Sequence, residues 1–150
     1  MTDDATSDVG GDAPAPLRQI VFYGTLMEGL GLPGTPDLAA LGVTRSGPCR
    51  LHAELWDTGL GYPALTRPGD ATAGEVLGEL WQLADPDRTL PLLDAYESLA
   101  DGDEAGSEYV RRVVRCVEPA GVEAWIYIWN GLTDGMSRVT DGDWRGRVAR

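Results

Sequence analysis

Residues 20–27 place an apolar, β-branched and aromatic run directly before a glycine and a hydroxyl group, in the order Ile-Val-Phe-Tyr-Gly-Thr-Leu-Met. This composition, bounded by turn residues, is typical of a strand. A glycine at a strand end permits a strained backbone angle or the close approach of another group. The sequence therefore predicts a first strand that ends in a tight loop. The N–H groups of Gly24, Thr25 and Leu26 can form a concave nest for a carboxylate or phosphate there, although a plain strand-end turn explains the same residues.

The length and charge of the chain limit its class and its partners. Its 150 residues suffice for one domain with a hydrophobic core. The 24 acidic residues outnumber the 12 basic ones, for a formal charge of −12, which argues against binding to nucleic acid or to anionic membranes. The chain lacks a run of about 18 apolar residues and does not begin with a basic and then apolar segment. We therefore expect a cytoplasmic protein.

The pattern of apolar residues and turn residues predicts more strand than helix. Residues 1–16 hold four aspartates, two glycines and two prolines, so we expect a disordered acidic tail there and one domain over 17–150. Strand patterns cover 43–66, with a turn at 59–61, and 74–83. Two longer strands, 108–118 and 122–130, flank a turn at 119–121, and a short helix is expected over 35–41. The predicted class is α+β, with a small, mostly antiparallel β-barrel flanked by short helices.

The longest predicted helix, residues 86–99, carries an acid among its apolar residues. Since Pro91 fits only a first turn, we expect the regular part to begin at Leu90 with Thr89 as the N-cap. At about 100° per residue, Glu97 projects between Leu93 and Leu90. The apolar arc has Leu90 at its edge and consists of Leu92, Leu93, Ala95, Tyr96 and Leu99. Burial would raise the pKa of Glu97 and suit it to proton transfer near neutral pH; a glutamate that turns towards solvent is the structural alternative.

Other kinds of site have less support. Cys49 and Cys116 are expected to be reduced thiols in or beside strands, and the single His52 lies in an alternating strand pattern. These residues lack the spacing of a zinc site, so we expect no metal and no cofactor. The glycines of 29–34 are not followed by the residues of a nucleotide-binding fingerprint.

Seven segments, in order between about residues 19 and 146, resemble the γ-glutamylcyclotransferase-like family, which includes the AIG2-like proteins. The segments are Phe22-Tyr23-Gly24-Thr25-Leu26, Gly61-Tyr62-Pro63-Ala64-Leu65, Gly74-Glu75-Val76-Leu77-Gly78-Glu79-Leu80-Trp81, Leu93-Asp94-Ala95-Tyr96-Glu97, Tyr109-Val110-Arg111, Ala124-Trp125-Ile126-Tyr127 and Gly142-Asp143-Trp144. Ser98 stands where the family commonly has glycine.

The resemblance implies a cavity between the Gly24 loop and Glu97. By this likeness the backbone N–H groups of Gly24, Thr25 and Leu26 hold the α-carboxylate of a γ-glutamyl group, while Tyr23 and Tyr109 line the pocket. Glu97 moves the proton, and Arg111 contacts the ligand or supports the site. The implied reaction releases 5-oxoproline and an amine or amino acid from a small γ-glutamyl substrate. The alternative is a non-enzymatic module that binds a small acidic ligand or a protein partner. The leaving group and the oligomeric state do not follow from the sequence.

Overall fold

Strands make up most of the regular structure. The computed structural model describes residues 17–24, 26–27, 37–97 and 107–148; the predicted tail, residues 1–16, lies outside them. The elements are β1 Gln19–Phe22, β2 Val43–His52, β3 Glu54–Asp57, β4 Pro63–Thr66, β5 Glu75–Leu83, α1 Pro86–Tyr96, β6 Tyr109–Arg115, β7 Glu123–Trp129, β8 Ser137–Arg138 and α2 Trp144–Val148.

The strands form two sheets. Five of them lie in the order β2-β5-β1-β7-β6 and three in the order β4-β3-β8. The pairing of β1 with β7 is parallel, and the other pairings are antiparallel. With its two short helices, this arrangement confirms the predicted α+β class and its mostly antiparallel sheet.

The five-stranded sheet is strongly rolled. Its edge strands are β2 and β6, yet Arg50 of β2 bridges Glu118, three residues beyond the end of β6. The N–H of Arg50 donates to the carbonyl of Glu118, and the N–H of Val117 donates to the carbonyl of Arg50, each over 2.8 Å. A single bridge therefore joins the two edges, and the ladder does not close into a continuous barrel within the described residues.

The rolled sheet encloses the core. Ile20 in β1, Leu51 in β2 and Ile126 in β7 are fully buried, as the apolar strand patterns predict. Strand β1 lies in the middle of the sheet between β5 and β7. Because β1 is central and its residues Ile20 to Phe22 are all buried, the loop that follows it is held at the end of a rigid element.

Helix α1 differs from its prediction. It begins at Pro86 instead of Leu90, because Pro91 lies on the exposed side, where solvent can satisfy the carbonyl group that its missing N–H leaves free. Thr89 is not the N-cap; its hydroxyl donates to the carbonyl of Leu41 over 3.1 Å. The predicted apolar arc is also partly wrong, since Leu92 and Ala95 are exposed. The buried residues of α1 are Pro86, Thr89, Leu90 and Leu93.

The short helix predicted over 35–41 is not formed in its described part. Residues 38–42 form hydrogen-bonded turns, in which the N–H of Gly42 donates to the carbonyl of Ala39 over 3.1 Å. Gly42 has φ of +73°, a conformation that ends helices. The chain therefore passes directly from these turns into β2.

Candidate active site

A cavity of about 310 Å³ lies at the end of β1. Its walls come from the loop after β1, the segment before β4, the C-terminal end of α1, and strands β6 and β7. The lining residues are Val21, Phe22, Tyr23, Gly24, Leu26, Leu60, Gly61, Tyr62, Pro63, Tyr96, Glu97, Glu108, Tyr109 and Tyr127.

Gly24 allows the loop after β1 to lie directly against the first residue of β4. A Cβ atom at this position would stand 2.8 Å from Cγ of Pro63, closer than packed carbon atoms tolerate. The N–H of Met27 donates to the carbonyl of Gly24 over 3.0 Å and closes a tight turn. Close approach, and not a positive φ, is therefore what requires glycine here.

Two tyrosine hydroxyls join the walls of the cavity by hydrogen bonds. The hydroxyl of Tyr23 donates to the carbonyl of Tyr127, and that of Tyr109 donates to the carbonyl of Pro63, each over 2.5 Å. Burial raises the pKa of both tyrosines, so both stay protonated at neutral pH. Tyr23 and Tyr109 therefore shape the cavity by joining its elements.

Glu97 follows the last residue of α1 and points into the same cavity. Its backbone N–H donates to the carbonyl of Leu93 over 2.9 Å. This bond uses only the backbone of residue 97, and the side-chain carboxyl group takes no part in it. Burial, and secondly the nearby charge of Glu108, raise the pKa of Glu97 from 4.5 to about 7. A carboxyl group with such a pKa can both accept and donate a proton near neutral pH.

A second acidic residue, Glu108, also lines the cavity. The hydroxyl of Tyr62 donates to Oε2 of Glu108 over 3.1 Å, and the Tyr62 ring lies 6.3 Å from that of Tyr109. Neither Tyr62 nor Glu108 is among the site residues that the sequence predicts. Tyr62 lies in one of the seven segments that carry the family resemblance, which is the available signal, whereas Glu108 lies next to an acidic segment that offers no pattern of its own.

Arg111 does not line the cavity. Its guanidinium group donates two hydrogen bonds to Asp94, from Nε to Oδ1 over 2.8 Å and from a terminal nitrogen to Oδ2 over 3.1 Å. Arg111 therefore contacts Asp94 and is not among the residues that line the cavity; its role toward a ligand stays a prediction. The sequence does not predict Asp94 as a residue near the site either, because it lies outside the predicted apolar arc.

The structure brings most of the sequence-predicted site residues to one cavity. Tyr23, Gly24, Leu26, Tyr109 and Glu97 all line it. Thr25 lies outside the described residues. Glu97 and Gly24 therefore line the same cavity.

The raised pKa of Glu97 predicts how the free energy of unfolding depends on pH, and this dependence can be measured without a substrate. Between pH 4.5 and 7 the folded protein keeps a proton that the unfolded chain has released, so stability falls as the pH rises through this range. The full loss corresponds to roughly 3 kcal/mol. We expect Glu97→Gln to exceed the wild type in stability by about 2–3 kcal/mol at pH 8 and to equal it below pH 4.5, as measured by urea unfolding. A difference that does not vary with pH would contradict this.

Three further findings concern the described residues. Their side chains do not assemble three or more possible metal ligands at one place. Both cysteines are buried and free, Cys49 in β2 and Cys116 directly after β6, as the sequence predicts. Neither helix among the described residues has the length and apolar character needed to cross a bilayer.

Comparison with known proteins identifies the family. The family model for AIG2-like γ-glutamyl cyclotransferases matches residues 20–146, and the chain belongs to this family. A search of curated proteins finds no match.

Solved structures share the fold. The solution structure of ytfP from Escherichia coli is 26% identical, with a TM-score of 0.59 over 87% of this chain and 98% of that one. The uropathogenic E. coli protein c4763 is 22% identical, with a TM-score of 0.65 over 91% and 98%. An AIG2-like protein from Mus musculus is 21% identical, with a TM-score of 0.55 over 77% and 80%.

Proposed function

We propose that this protein is a γ-glutamyl cyclotransferase that releases 5-oxoproline and a free amine or amino acid from a small γ-glutamyl amide. The observation that carries the proposal is the position of Glu97, whose carboxyl group has a pKa of about 7 and lines the same cavity as the Gly24 loop. Membership of the AIG2-like family supports the same activity.

The reaction is an internal exchange of amides. The α-amine of the substrate forms a C–N bond to its own γ-carbonyl carbon, and the bond from that carbon to the leaving nitrogen breaks. An α-amine has a pKa of about 8, so it is mostly protonated at neutral pH and has to lose a proton before it attacks. In the proposal Glu97 accepts this proton and returns it to the leaving nitrogen. The attacking nitrogen loses a second proton as the lactam forms, and this proton also passes through Glu97 to the released amine, which departs as an ammonium ion. The reaction thus needs no nucleophilic side chain, metal or cofactor.

Other residues hold the substrate in the proposal. The N–H groups of Gly24, Thr25 and Leu26 bind its α-carboxylate, as expected for a backbone anion nest, and the rings of Tyr23 and Tyr109 flank it. Holding the amine against the carbonyl replaces an intermolecular encounter, an effect that reaches about 7–11 kcal/mol in well-oriented systems. Such a substrate is small and soluble, which agrees with a cytoplasmic enzyme.

The test is a panel of γ-glutamyl compounds that differ in the leaving group: γ-glutamyl amino acids, γ-glutamyl-ε-lysine and simple γ-glutamyl alkylamines. We expect 5-oxoproline, detected by mass spectrometry, in a one-to-one ratio with the released amine. Release of free glutamate would indicate a different acyl transfer in the same cavity. Binding of these compounds without any turnover would favour a non-enzymatic binding module.

A further inference from the structure

A partly buried polar cluster adjoins the cavity through Tyr127 and takes no part in the proposed chemistry. It consists of Asp94 from α1, Arg111 from β6 and Tyr127 from β7. The side chains of Asp94 and Arg111 are only 17% and 22% exposed, and neither lines the cavity. Charged groups at such depth are retained only with good partners, so the contacts of this cluster are informative.

Asp94 is bound from two strands at once. Arg111 donates to both of its carboxylate oxygens, over 2.8 and 3.1 Å, and the hydroxyl of Tyr127 donates to Oδ1 over 2.6 Å. The guanidinium group of Arg111 also lies over the Trp125 ring, 4.5 Å from its centre, a cation–π contact that adds to its support. A bidentate pair of this kind restricts both position and orientation.

The cluster connects both sides of the cavity. Asp94 lies in the last turn of α1, three residues before Glu97, which directly follows the helix. Tyr127, whose hydroxyl binds Asp94, accepts the Tyr23 hydroxyl at its own carbonyl over 2.5 Å. Tyr23 immediately precedes Gly24. A continuous set of hydrogen bonds thus runs from the last turn of α1 to the loop after β1.

We infer that Asp94 is a positioning residue that, through Arg111 and Tyr127, holds the last turn of α1 and with it the carboxyl group of Glu97 against the cavity. This inference rests on the proposed function in so far as Glu97 is the group that moves the proton. Asp94 itself does not contact the cavity and is not a catalytic residue.

In the wild type the charge of Arg111 balances that of Asp94, so the pair fixes the end of α1 and adds little net charge near Glu97. Asp94→Asn leaves Arg111 unbalanced, which by itself lowers the pKa of Glu97, so the uncharged change Tyr127→Phe is the variant that separates position from charge. The groups that face Glu97 from the surrounding elements are Glu108, Tyr109, Tyr23 and Tyr127, with Tyr62 beside Glu108. Among these, only Glu108 adds a negative charge at neutral pH. If the last turn of α1 loosens, the main change for Glu97 is therefore greater contact with water, which stabilises its charged form.

The test is Asp94→Asn, which keeps the size of the side chain and removes its charge and one acceptor oxygen. In a ¹³C NMR titration of the glutamate carboxyl groups, with Glu97 assigned through Glu97→Gln, we expect the pKa of Glu97 to fall from about 7 toward 4.5. With an active substrate we expect kcat to fall about 10- to 100-fold, as for a slightly misplaced catalytic group, while KM changes less than about threefold.

Two variants make the result specific. Asp87→Asn is the same substitution on an exposed position of the same helix, and it should leave both the pKa of Glu97 and kcat unchanged. Tyr127→Phe removes only the 2.6 Å hydrogen bond, and it should lower the pKa of Glu97 in the same direction by a smaller amount. If Asp94→Asn does not fold, the pKa of Glu97 in Tyr127→Phe still tests the inference.

The inference is overturned if Asp94→Asn and Tyr127→Phe fold with reduced melting temperature but with the wild-type pKa for Glu97 and wild-type kcat, because the cluster would then be structural only. The titration needs no turnover. If the wild type releases no 5-oxoproline from any substrate, the proposed function fails, and the pKa of Glu97 in the variants still decides the role of Asp94.

Discussion

Replacing Glu97 by glutamine is expected to slow the release of 5-oxoproline by about 10²- to 10⁴-fold, the range that general acid and base groups contribute. Glutamine has nearly the same shape but can neither accept the proton of the α-amine nor return it to the leaving nitrogen. The helix should persist, because the N–H of residue 97, which donates to Leu93, is unchanged. The measurement is a time course of 5-oxoproline at pH 7 with the best substrate of the panel.

The control for this prediction is Glu123→Gln, which removes an exposed glutamate paired with Arg115 on the surface of β7. It should retain wild-type turnover. The pH profile adds a second check: kcat/KM of the wild type should rise through an acidic limb near pH 7, where Glu97 becomes deprotonated. Wild-type turnover in Glu97→Gln would exclude the proposed role of this residue.

Gly24→Ala is expected to damage both folding and binding. The added methyl group would stand 2.8 Å from Cγ of Pro63, and Pro63 cannot retreat easily because its carbonyl accepts the Tyr109 hydroxyl and it pairs with Asp57. Overpacking of this kind costs about 1–3 kcal/mol. The loop has to move instead, so we expect kcat/KM to fall about 10- to 100-fold, since small misplacements have effects of this size.

Gly47→Ala is the matched control. A Cβ atom at Gly47 meets no atom within 4 Å, and the same substitution there should leave turnover close to that of the wild type. The two variants are compared by urea unfolding and by steady-state kinetics. Equal behaviour of the two would show that the contact between Gly24 and Pro63 does not control the loop.

The strands and the main site residues could be predicted because their signals are local. The run at Ile20–Phe22 and the alternation in β7 depend on nearest neighbours along the chain, and both form strands as expected. Glu97 could be found because an acid at the i+4 position from Leu93 falls on a buried helix face. A short-range pattern was sufficient in each of these cases.

The features that were missed depend on contacts between distant segments. Asp94 and Arg111 meet across 17 residues, and the Tyr62 hydroxyl reaches Glu108 across 46. Helix α1 starts earlier than expected because the exposure of Pro91 depends on how the helix packs, which its sequence does not show. Likewise, the single bridge between Arg50 and Glu118 depends on how far the whole sheet curls.

The carboxyl group at position 97 also bears on how such a protein changes over generations. A neutral residue there removes a desolvation penalty and leaves the backbone of α1 intact, so a lineage released from selection for turnover would gain stability by losing its acid. If Glu97 moves the proton as proposed, a relative that keeps the fold with a neutral residue at this position would be inactive, so this residue is the first to inspect when a relative is assigned a role.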